Sequence, residues 1–264
     1  MSLAEEVSVE YEFLRVTQDG TVARLMLARP EKRNALSLAL MQQVIAALEA
    51  ISEETQAVVI AGDGPAFSAG HDLAEMLDRD ERFYDELFEA CTVMMETIHR
   101  IPPPVIARVH GPAFAAGCQL VAACDLAVAA ESATFATPGV KIGLFCSTPM
   151  VPVSRAVGRK RAMEMLLTGE PISAQTAAEW GLVNRVVPDG ELDVAIEELI
   201  ARITGSSRLV TGIGKQAFYA QVDLDEQGAY DLTKAVMASN ARLEDAQEGM
   251  GAFVGKRKPA WSNR

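Results

Sequence analysis

The chain has 264 residues, of which 49% are hydrophobic and 23% charged, and its formal net charge at pH 7 is -12. These values are typical of one large globular domain, or of one domain with an appendage. The negative charge argues against a nucleic-acid partner, because phosphate binding needs a basic surface. No apolar run approaches the roughly 20 residues that cross a bilayer, so no membrane partner is predicted.

The N-terminal segment MSLAEEVSVE has neither the apolar stretch of a signal peptide nor the arginine-rich character of a transit peptide. We therefore expect a cytoplasmic protein. The four cysteines form no CxxC pair and no zinc-like spacing, and the three histidines form no HExxH motif. The sequence therefore predicts no metal site.

The first predicted element is a hairpin, with strands at 8–16 and 22–28 around an Asp-Gly turn. A helix is expected to begin after Ser37, which is a favourable N-cap residue. The apolar runs 57–62, 104–109 and 126–130 are typical of strands buried on both faces. A loop follows each run, and the first two loops are rich in glycine and alanine and lead into helices, so the pattern predicts an α/β fold.

The strand signals stop near residue 190. Three amphipathic segments follow, at 193–203, 210–222 and 229–243, and each is predicted to be a helix. We place a boundary near residue 205. The predicted organisation is a core over 1–205 and a helical C-terminal segment over 206–264.

Two loops carry most of the functional signal: GDGPAFSAGHD at 62–72 and GPAFAAGCQL at 111–120. A dinucleotide fingerprint starting at Gly62 would need a glycine at Phe67, and GIGKQ at 212–216 follows no strand, so neither predicts a nucleotide site. Ser68 resembles the serine of a nucleophile elbow. That arrangement needs a later histidine, and none follows His110.

Main-chain chemistry is the remaining interpretation of these loops. The first N–H groups of a helix lack intrahelical partners and carry the positive end of its dipole. Small residues allow a ligand oxygen to reach such groups, and two converging N–H donors form an oxyanion hole. The structural alternative is close packing of helices through glycine and alanine.

Motifs along nearly the whole chain resemble the crotonase superfamily of enoyl-CoA hydratases and isomerases. They include RPEKRNAL, AFSAGHDL, PPVIARVHGPAFAAGCQLVAACDLAVA, FATPGVKIGL, RAMEMLLTGEPISAQTAAEWGLVNRVV and EGMGAFVGKRKPAW. More narrowly, SAGHDL, AAGCQLVA, FATPGV and GLFCSTP resemble the enoyl-CoA hydratase domain-containing protein 3 subgroup. The resemblance implies a ββα spiral core and a C-terminal helical trimerisation segment, with a homotrimer or a hexamer built as a dimer of trimers.

The resemblance also implies a lyase or isomerase of fatty-acid metabolism whose substrate is a coenzyme A thioester, without a further cofactor. The main-chain N–H groups of His71 and Ala116 would form the oxyanion hole that stabilises an enolate. Substrate and coenzyme A contacts are expected from Lys32, Arg33, Ala35, Ala69, Asp72, Leu73, Phe114, Thr137, Pro138 and Leu144, and from Phe253 and Lys256 of a neighbouring subunit. Two basic islands, at 29–33 and 256–258, fit an anionic ligand.

Two departures from the family pattern bear on the reaction. The glutamates that activate water in hydratases correspond here to Gln119 and Gly139, and neither residue transfers protons near neutral pH. Standard hydratase activity is therefore doubtful, and a non-catalytic acyl-CoA-binding or scaffold protein is the alternative. Asp72 is expected to cap the helix that follows it. The His71 side chain is either a proton carrier or points away, and Cys146 is either a nucleophile or a packed side chain.

Overall fold

The structure is a computed structural model that describes residues 11–264, so the whole MSLAEEVSVE segment, including residues 8–10 of the predicted first strand, lies outside it. The strands are β1 (Leu14–Asp19), β2 (Val22–Leu27), β3 (Ala57–Gly62), β4 (Val105–Val109), β5 (Ala113–Phe114), β6 (Leu126–Ala130), β7 (Thr134–Ala136), β8 (Ile172–Ser173) and β9 (Arg185–Val187).

The helices are α1 (Leu38–Glu49), α2 (Leu73–Met76), α3 (Glu81–Arg100), α4 (Ala116–Ala123), α5 (Met150–Val157), α6 (Arg159–Thr168), α7 (Ala174–Trp180), α8 (Leu192–Thr204), α9 (Arg208–Gln221), α10 (Glu226–Asn240) and α11 (Glu244–Val254). Short 3-10 helices cover Pro30–Lys32, Pro138–Ile142 and Asp189–Glu191. Within residues 11–264, no helix is long and apolar enough to cross a bilayer.

A six-stranded sheet forms the main layer, in the order β1-β2-β3-β4-β6-β9. The β1–β2 pair is the predicted antiparallel hairpin, and every other pair in this sheet is parallel. Strand β3 is buried along its whole length, as its continuous apolar run predicts. Helix α8 covers one face of the sheet, where Val59, Ile106 and Val128 pack against Leu192 and Ile196.

A second, smaller layer runs beside the main sheet and contains β5, β7 and β8. Single parallel bridges extend it, because Leu36 pairs with His71 and Ser68 pairs with Ala113. Successive segments of the chain therefore add a strand to the main sheet, then a short piece to the second layer, then a helix. This repeated order is the ββα spiral expected from the family resemblance, and the predicted α/β class is confirmed.

The three helices predicted after the last strand signals are present as α8, α9 and α10. Strands end at Val187, and α8 ends at Thr204, beside the boundary expected near 205. Helix α11 was not predicted, because Gly249 and Gly251 interrupt its helical pattern. The division into a core over 1–205 and a segment over 206–264 stays a prediction.

A buried cation attaches α9 to the core. The Lys215 ammonium donates to the carbonyl oxygens of Ile98 and Pro103, at 2.6 and 2.9 Å, and lies 2.7 Å from Asp125 Oδ2. The Tyr219 hydroxyl, one turn later on α9, donates to the other Asp125 oxygen at 2.8 Å. The fully paired group fixes α9 against the ends of α3, β4 and β6.

Replacing Lys215 with methionine leaves the Asp125 carboxylate buried without its cation. Removal of one partner from a buried pair costs about 3–5 kcal/mol. We expect a loss of this size in the free energy of unfolding measured in urea. The control is Lys234→Met on the exposed face of α10, which should change stability by about 0.5 kcal/mol or less. Equal effects of the two substitutions would contradict the anchoring role of Lys215.

Candidate active site

The two glycine- and alanine-rich loops meet at their main chains. A Cβ atom placed on Gly70 would lie 2.7 Å from Ala115 Cβ, 2.9 Å from the Phe114 carbonyl oxygen and 3.1 Å from the Ala116 nitrogen. Only a residue without a side chain permits this approach, and the φ of +93° at Gly70 also favours glycine. Gly70, which precedes His71, therefore touches Ala116, the first residue of α4.

Both main-chain N–H groups are available to a ligand. Leu36 N–H donates to Gly70 O at 2.7 Å and Asp72 N–H donates to Leu36 O at 3.3 Å, so the His71 N–H points away from Leu36. Ala116 is the first residue of α4, where an N–H has no intrahelical acceptor. Within residues 11–264, neither N–H donates a hydrogen bond.

The start of α4 is held in a strained conformation. Ala115, its N-cap residue, has φ 49° and ψ -117°, which non-glycine residues rarely adopt, and its N–H donates to Ala136 O at 2.9 Å. A Cβ on Gly117 would collide with the Ser68 carbonyl oxygen. The small residues of this loop thus bring the N-terminus of α4 against the first loop.

The predicted coenzyme A loop, residues 29–35, contains the expected contacts Lys32, Arg33 and Ala35 and runs beside the first of these loops. Arg33 and Asn34 both adopt left-handed conformations, with φ of 51° and 52°. Ala69 N–H donates to Arg33 O at 2.9 Å, and the buried Asn34 amide donates to Asp63 O and Ala66 O, both at 2.8 Å. The cationic side chains of Lys32 and Arg33 remain exposed.

Gln119 lies one turn into α4, and its side chain is buried. The Cys91 thiol of α3 donates to Gln119 Oε1 over 3.6 Å. The thiol, a weak donor, uses one of the two acceptor sites of the amide oxygen, and within residues 11–264 the NH2 group donates no hydrogen bond. Gln119 also lines a cavity of about 860 Å³ between α3, α4, α5 and α9.

Gly139 sits where a side chain cannot be added without rearrangement. A Cβ there would collide with the Leu144 carbonyl oxygen and would lie 2.9 Å from Cys146 Sγ. Leu144 N–H also donates to Gly139 O at 3.0 Å, which closes the 139–144 turn. The space that a side chain at 139 would enter is filled by main chain and by the Cys146 sulfur.

The His71 side chain contacts protein on the side of α3. Its ring meets Phe88 edge-on, with 5.5 Å between the ring centroids, and Nδ1 lies 3.4 Å from Leu36 O. Nε2 is enclosed and has no hydrogen-bond partner within residues 11–264. Burial lowers the pKa of this imidazole, although the Leu36 hydrogen bond opposes the shift. The ring is therefore neutral near pH 7 and packed inside the protein.

The candidate nucleophiles are also packed. Ser68 is fully buried, and its hydroxyl donates to Asn34 O at 2.8 Å. Burial raises the pKa of the Cys146 thiol, while a hydrogen bond from the Gly139 main chain opposes the shift. Neither group has the exposed, activated character that a nucleophile needs.

The expectation that Asp72 caps the following helix is wrong. Its carboxylate makes no capping hydrogen bond to α2. Oδ2 instead accepts from Arg29 Nη2 at 3.1 Å, and each of the two side chains is only 12% exposed. Arg29 belongs to the basic island at 29–33 that was expected to fit an anionic ligand, but its charge is paired with Asp72, 43 residues away in the sequence. The pairing follows from the β2-to-α1 connection returning beside the first loop.

The remaining predicted contacts surround the two loops or lie at the C-terminal end. Phe114 N–H donates to Ser68 O at 2.9 Å, and the Thr137 hydroxyl is buried with no hydrogen-bond partner in the described part of the chain. Ala35 is buried at the end of the coenzyme A loop, and Pro138 begins the 3-10 helix that contains Gly139. Five of the predicted contact residues are exposed: Ala69, Leu73, Leu144, Phe253 and Lys256. Phe253 and Lys256 lie at and just beyond the end of α11.

A Gly139→Ala substitution tests the filled space at this position. Overpacking of this kind typically costs about 1–3 kcal/mol, and a collision with main chain belongs at the upper end of that range. We expect a corresponding fall in the free energy of unfolding. Gly190→Ala is the control, because a Cβ at Gly190 meets nothing within 4 Å. If both variants were as stable as the parent protein, the collision with Leu144 would be contradicted.

Stability should also depend on pH through His71 and His99, whose pKa values are both lowered, chiefly by burial. The unfolded chain takes up protons near pH 6.5 and the folded chain does so only at a lower pH, so stability falls as the pH falls below that value. The slope has an upper bound of about 1.4 kcal/mol per pH unit for each histidine. Urea unfolding between about pH 7.5 and 5.5 measures it, and a His71→Phe variant should show a smaller slope. A pH-independent stability in this window would contradict the burial of both rings.

Comparison with known proteins shows which family the chain resembles over nearly its whole length. The model of the enoyl-CoA hydratase/isomerase family matches residues 17–264. The chain is 48% identical to the mitochondrial enoyl-CoA hydratase domain-containing protein 3 of Mus musculus, over 93% of this chain and 83% of that one.

Two solved structures have the same fold. An enoyl-CoA hydratase from Mycobacterium smegmatis is 48% identical, with a TM-score of 0.93 over 94% of this chain and 98% of that one. Human enoyl Coenzyme A hydratase domain-containing protein 3 is 45% identical, with a TM-score of 0.92 over 95% and 100% of the two chains.

These relatives correct one prediction and confirm another. The mouse, rat and human relatives are named as mitochondrial proteins, which contradicts the expected cytoplasmic location. The family resemblance and its subgroup are confirmed. The chain belongs to the enoyl-CoA hydratase/isomerase family of the crotonase superfamily.

Proposed function

We propose that this protein binds an acyl-CoA thioester and stabilises its enolate with the main-chain N–H groups of His71 and Ala116. The observation that carries the proposal is the contact of Gly70 with Ala115 and Ala116, together with the two unpaired N–H groups beside it within the described residues. A thioester oxygen placed between the loops would accept from both donors. The growing negative charge of an enolate strengthens these hydrogen bonds, and the dipole of α4 adds to them.

The reaction differs from hydration of an enoyl thioester by two glutamates. Gln119 offers an amide in place of the first carboxylate, with its oxygen already engaged by Cys91. Gly139 offers no side chain in place of the second, and the Leu144 carbonyl and Cys146 sulfur fill that space. An amide and a thiol of raised pKa do not activate water near neutral pH. Slow or absent hydration is therefore part of the proposal.

Coenzyme A itself would be held at the coenzyme A loop, residues 29–35. Lys32 and Arg33 are exposed next to the first oxyanion-hole loop, and their charges suit the phosphates of the ligand. Phe253 and Lys256 would add contacts from a neighbouring subunit. Helix α10 has no buried side chain, and Tyr230, Met237 and Phe253 are 65%, 69% and 87% exposed, which supports association through the C-terminal helices as a trimer or hexamer.

Incubation with a panel of acyl-CoA thioesters in deuterated water tests the proposal. Deuterium appearing at the α-carbon reports enolate formation. Crotonyl-CoA hydration should stay below the usual enzyme range of about 1–10³ per second. Thermal stabilisation by acyl-CoA without exchange would favour the alternative, a non-catalytic acyl-CoA binder.

Ala116→Pro isolates one donor of the oxyanion hole. Proline lacks the N–H but is tolerated at the first position of a helix. We expect exchange to fall by about 10²–10³. Ala116→Gly is the matched control, because it retains the N–H and should retain activity. Unchanged exchange in the proline variant would refute the assignment of Ala116.

A further inference from the structure

The ion pair between Arg29 and Asp72 links the coenzyme A loop to the loop that carries His71. Arg29 lies two residues beyond β2, at the start of the coenzyme A loop, and Asp72 directly follows His71. Arg29 Nη2 donates to Asp72 Oδ2 at 3.1 Å, while Nη1 donates to the Ala35 carbonyl oxygen at 3.2 Å. One guanidinium group therefore contacts both the loop before α1 and the loop of the first oxyanion donor.

The guanidinium group is itself held in place. It stacks over the Phe13 ring, 4.7 Å from the ring centroid. The Arg29 N–H donates to Asn34 Oδ1 at 3.0 Å, which fixes the main chain of the residue. The Arg29 side chain is only 12% exposed, as is that of Asp72, so water screens the ion pair weakly. The guanidinium thus has little freedom to follow a moving carboxylate.

The ion pair acts on a short stretch of parallel pairing. Ala69 donates to Arg33, Leu36 donates to Gly70 and Asp72 donates to Leu36, so residues 33–36 and 69–72 lie side by side. The Asp72–Leu36 hydrogen bond is the longest of the three, at 3.3 Å against 2.9 and 2.7 Å. The ion pair closes the end of the stretch that carries this longest bond, and His71 lies between Gly70 and Asp72. The Gly70–His71 peptide, which supplies the His71 N–H, is held on one side by the bond from Leu36 to Gly70 O, and His71 alone separates it from the Asp72–Leu36 bond.

We propose that Arg29 and Asp72 are positioning residues that aim the His71 N–H at the thioester oxygen. The pair does not touch the thioester in this account. It fixes the segment that carries the donor, and it joins that segment to the loop proposed to bind coenzyme A. The inference rests on the proposed oxyanion hole.

Binding of two coenzyme A derivatives tests this role without requiring turnover. Butyryl-CoA carries the thioester oxygen, whereas S-butyl-CoA, a thioether, lacks it. Two N–H donors to that oxygen should make the parent protein bind the thioester about tenfold more tightly. Asp72→Asn, which keeps the side-chain shape, should lower the ratio of the two Kd values to about threefold, because the Ala116 donor remains, and should leave the Kd of the thioether within about twofold.

Arg29→Met should lower the ratio as Asp72→Asn does, and the double variant should lower it no further, because the two residues act as one pair. The matched control is Arg24→Met. Arg24 lies on β2, away from both loops, and pairs with Glu197 of α8, so its replacement should leave the ratio unchanged. Circular dichroism of each variant confirms that it is folded.

Three outcomes would overturn the inference, and they differ in what else they affect. If Asp72→Asn kept the full thioester preference, the positioning role would fall and the oxyanion hole would stand. If thioester and thioether affinities weakened equally, the pair would serve coenzyme A binding or the fold. If the parent protein showed no preference for the thioester, both the oxyanion hole and the positioning role would be refuted.

Discussion

Contact between two main chains is the constraint on which the rest of the site depends. Gly70 touches Ala115 and Ala116, and Gly117 touches the Ser68 carbonyl, at distances that no side chain would allow. The second layer of the spiral makes the approach possible, because single bridges pair Leu36 with His71 and Ser68 with Ala113. The site therefore consists of main-chain groups whose direction is set by the fold, and side chains such as Arg29 and Asp72 surround them.

This division explains how a family fold can accommodate different chemistry. Donors that come from the main chain persist when neighbouring side chains change, provided the glycines remain. Groups that move protons are side chains, and neither Gln119 nor Gly139 carries an acid or a base. In the proposed function, main-chain groups recognise the thioester, whereas the neighbouring side chains determine the reaction.

Much of the fold could be predicted from local sequence. The strands at 57–62 and 126–130 were predicted at their observed bounds, because each is a short apolar run with clear limits. Ser37 caps α1 as its residue type indicates, accepting from Leu40 N–H. Helix α11 was missed because Gly249 and Gly251 are poor helix formers, and only the structure shows Trp261 packed beside Gly249. Similarly, the partner of Asp72 could not be inferred, since a local cap and a distant arginine are equally compatible with its position.

The filled space beside Gly139 limits the side chains that this position can accept. A glutamate there would meet a carbonyl group and a sulfur atom, so a single substitution does not place a carboxylate in the site. The segment from Val140 to Cys146 would have to adopt a new path in the same step or beforehand. In the proposed function, a carboxylate at this position thus depends on the path of the main chain as well as on the residue type.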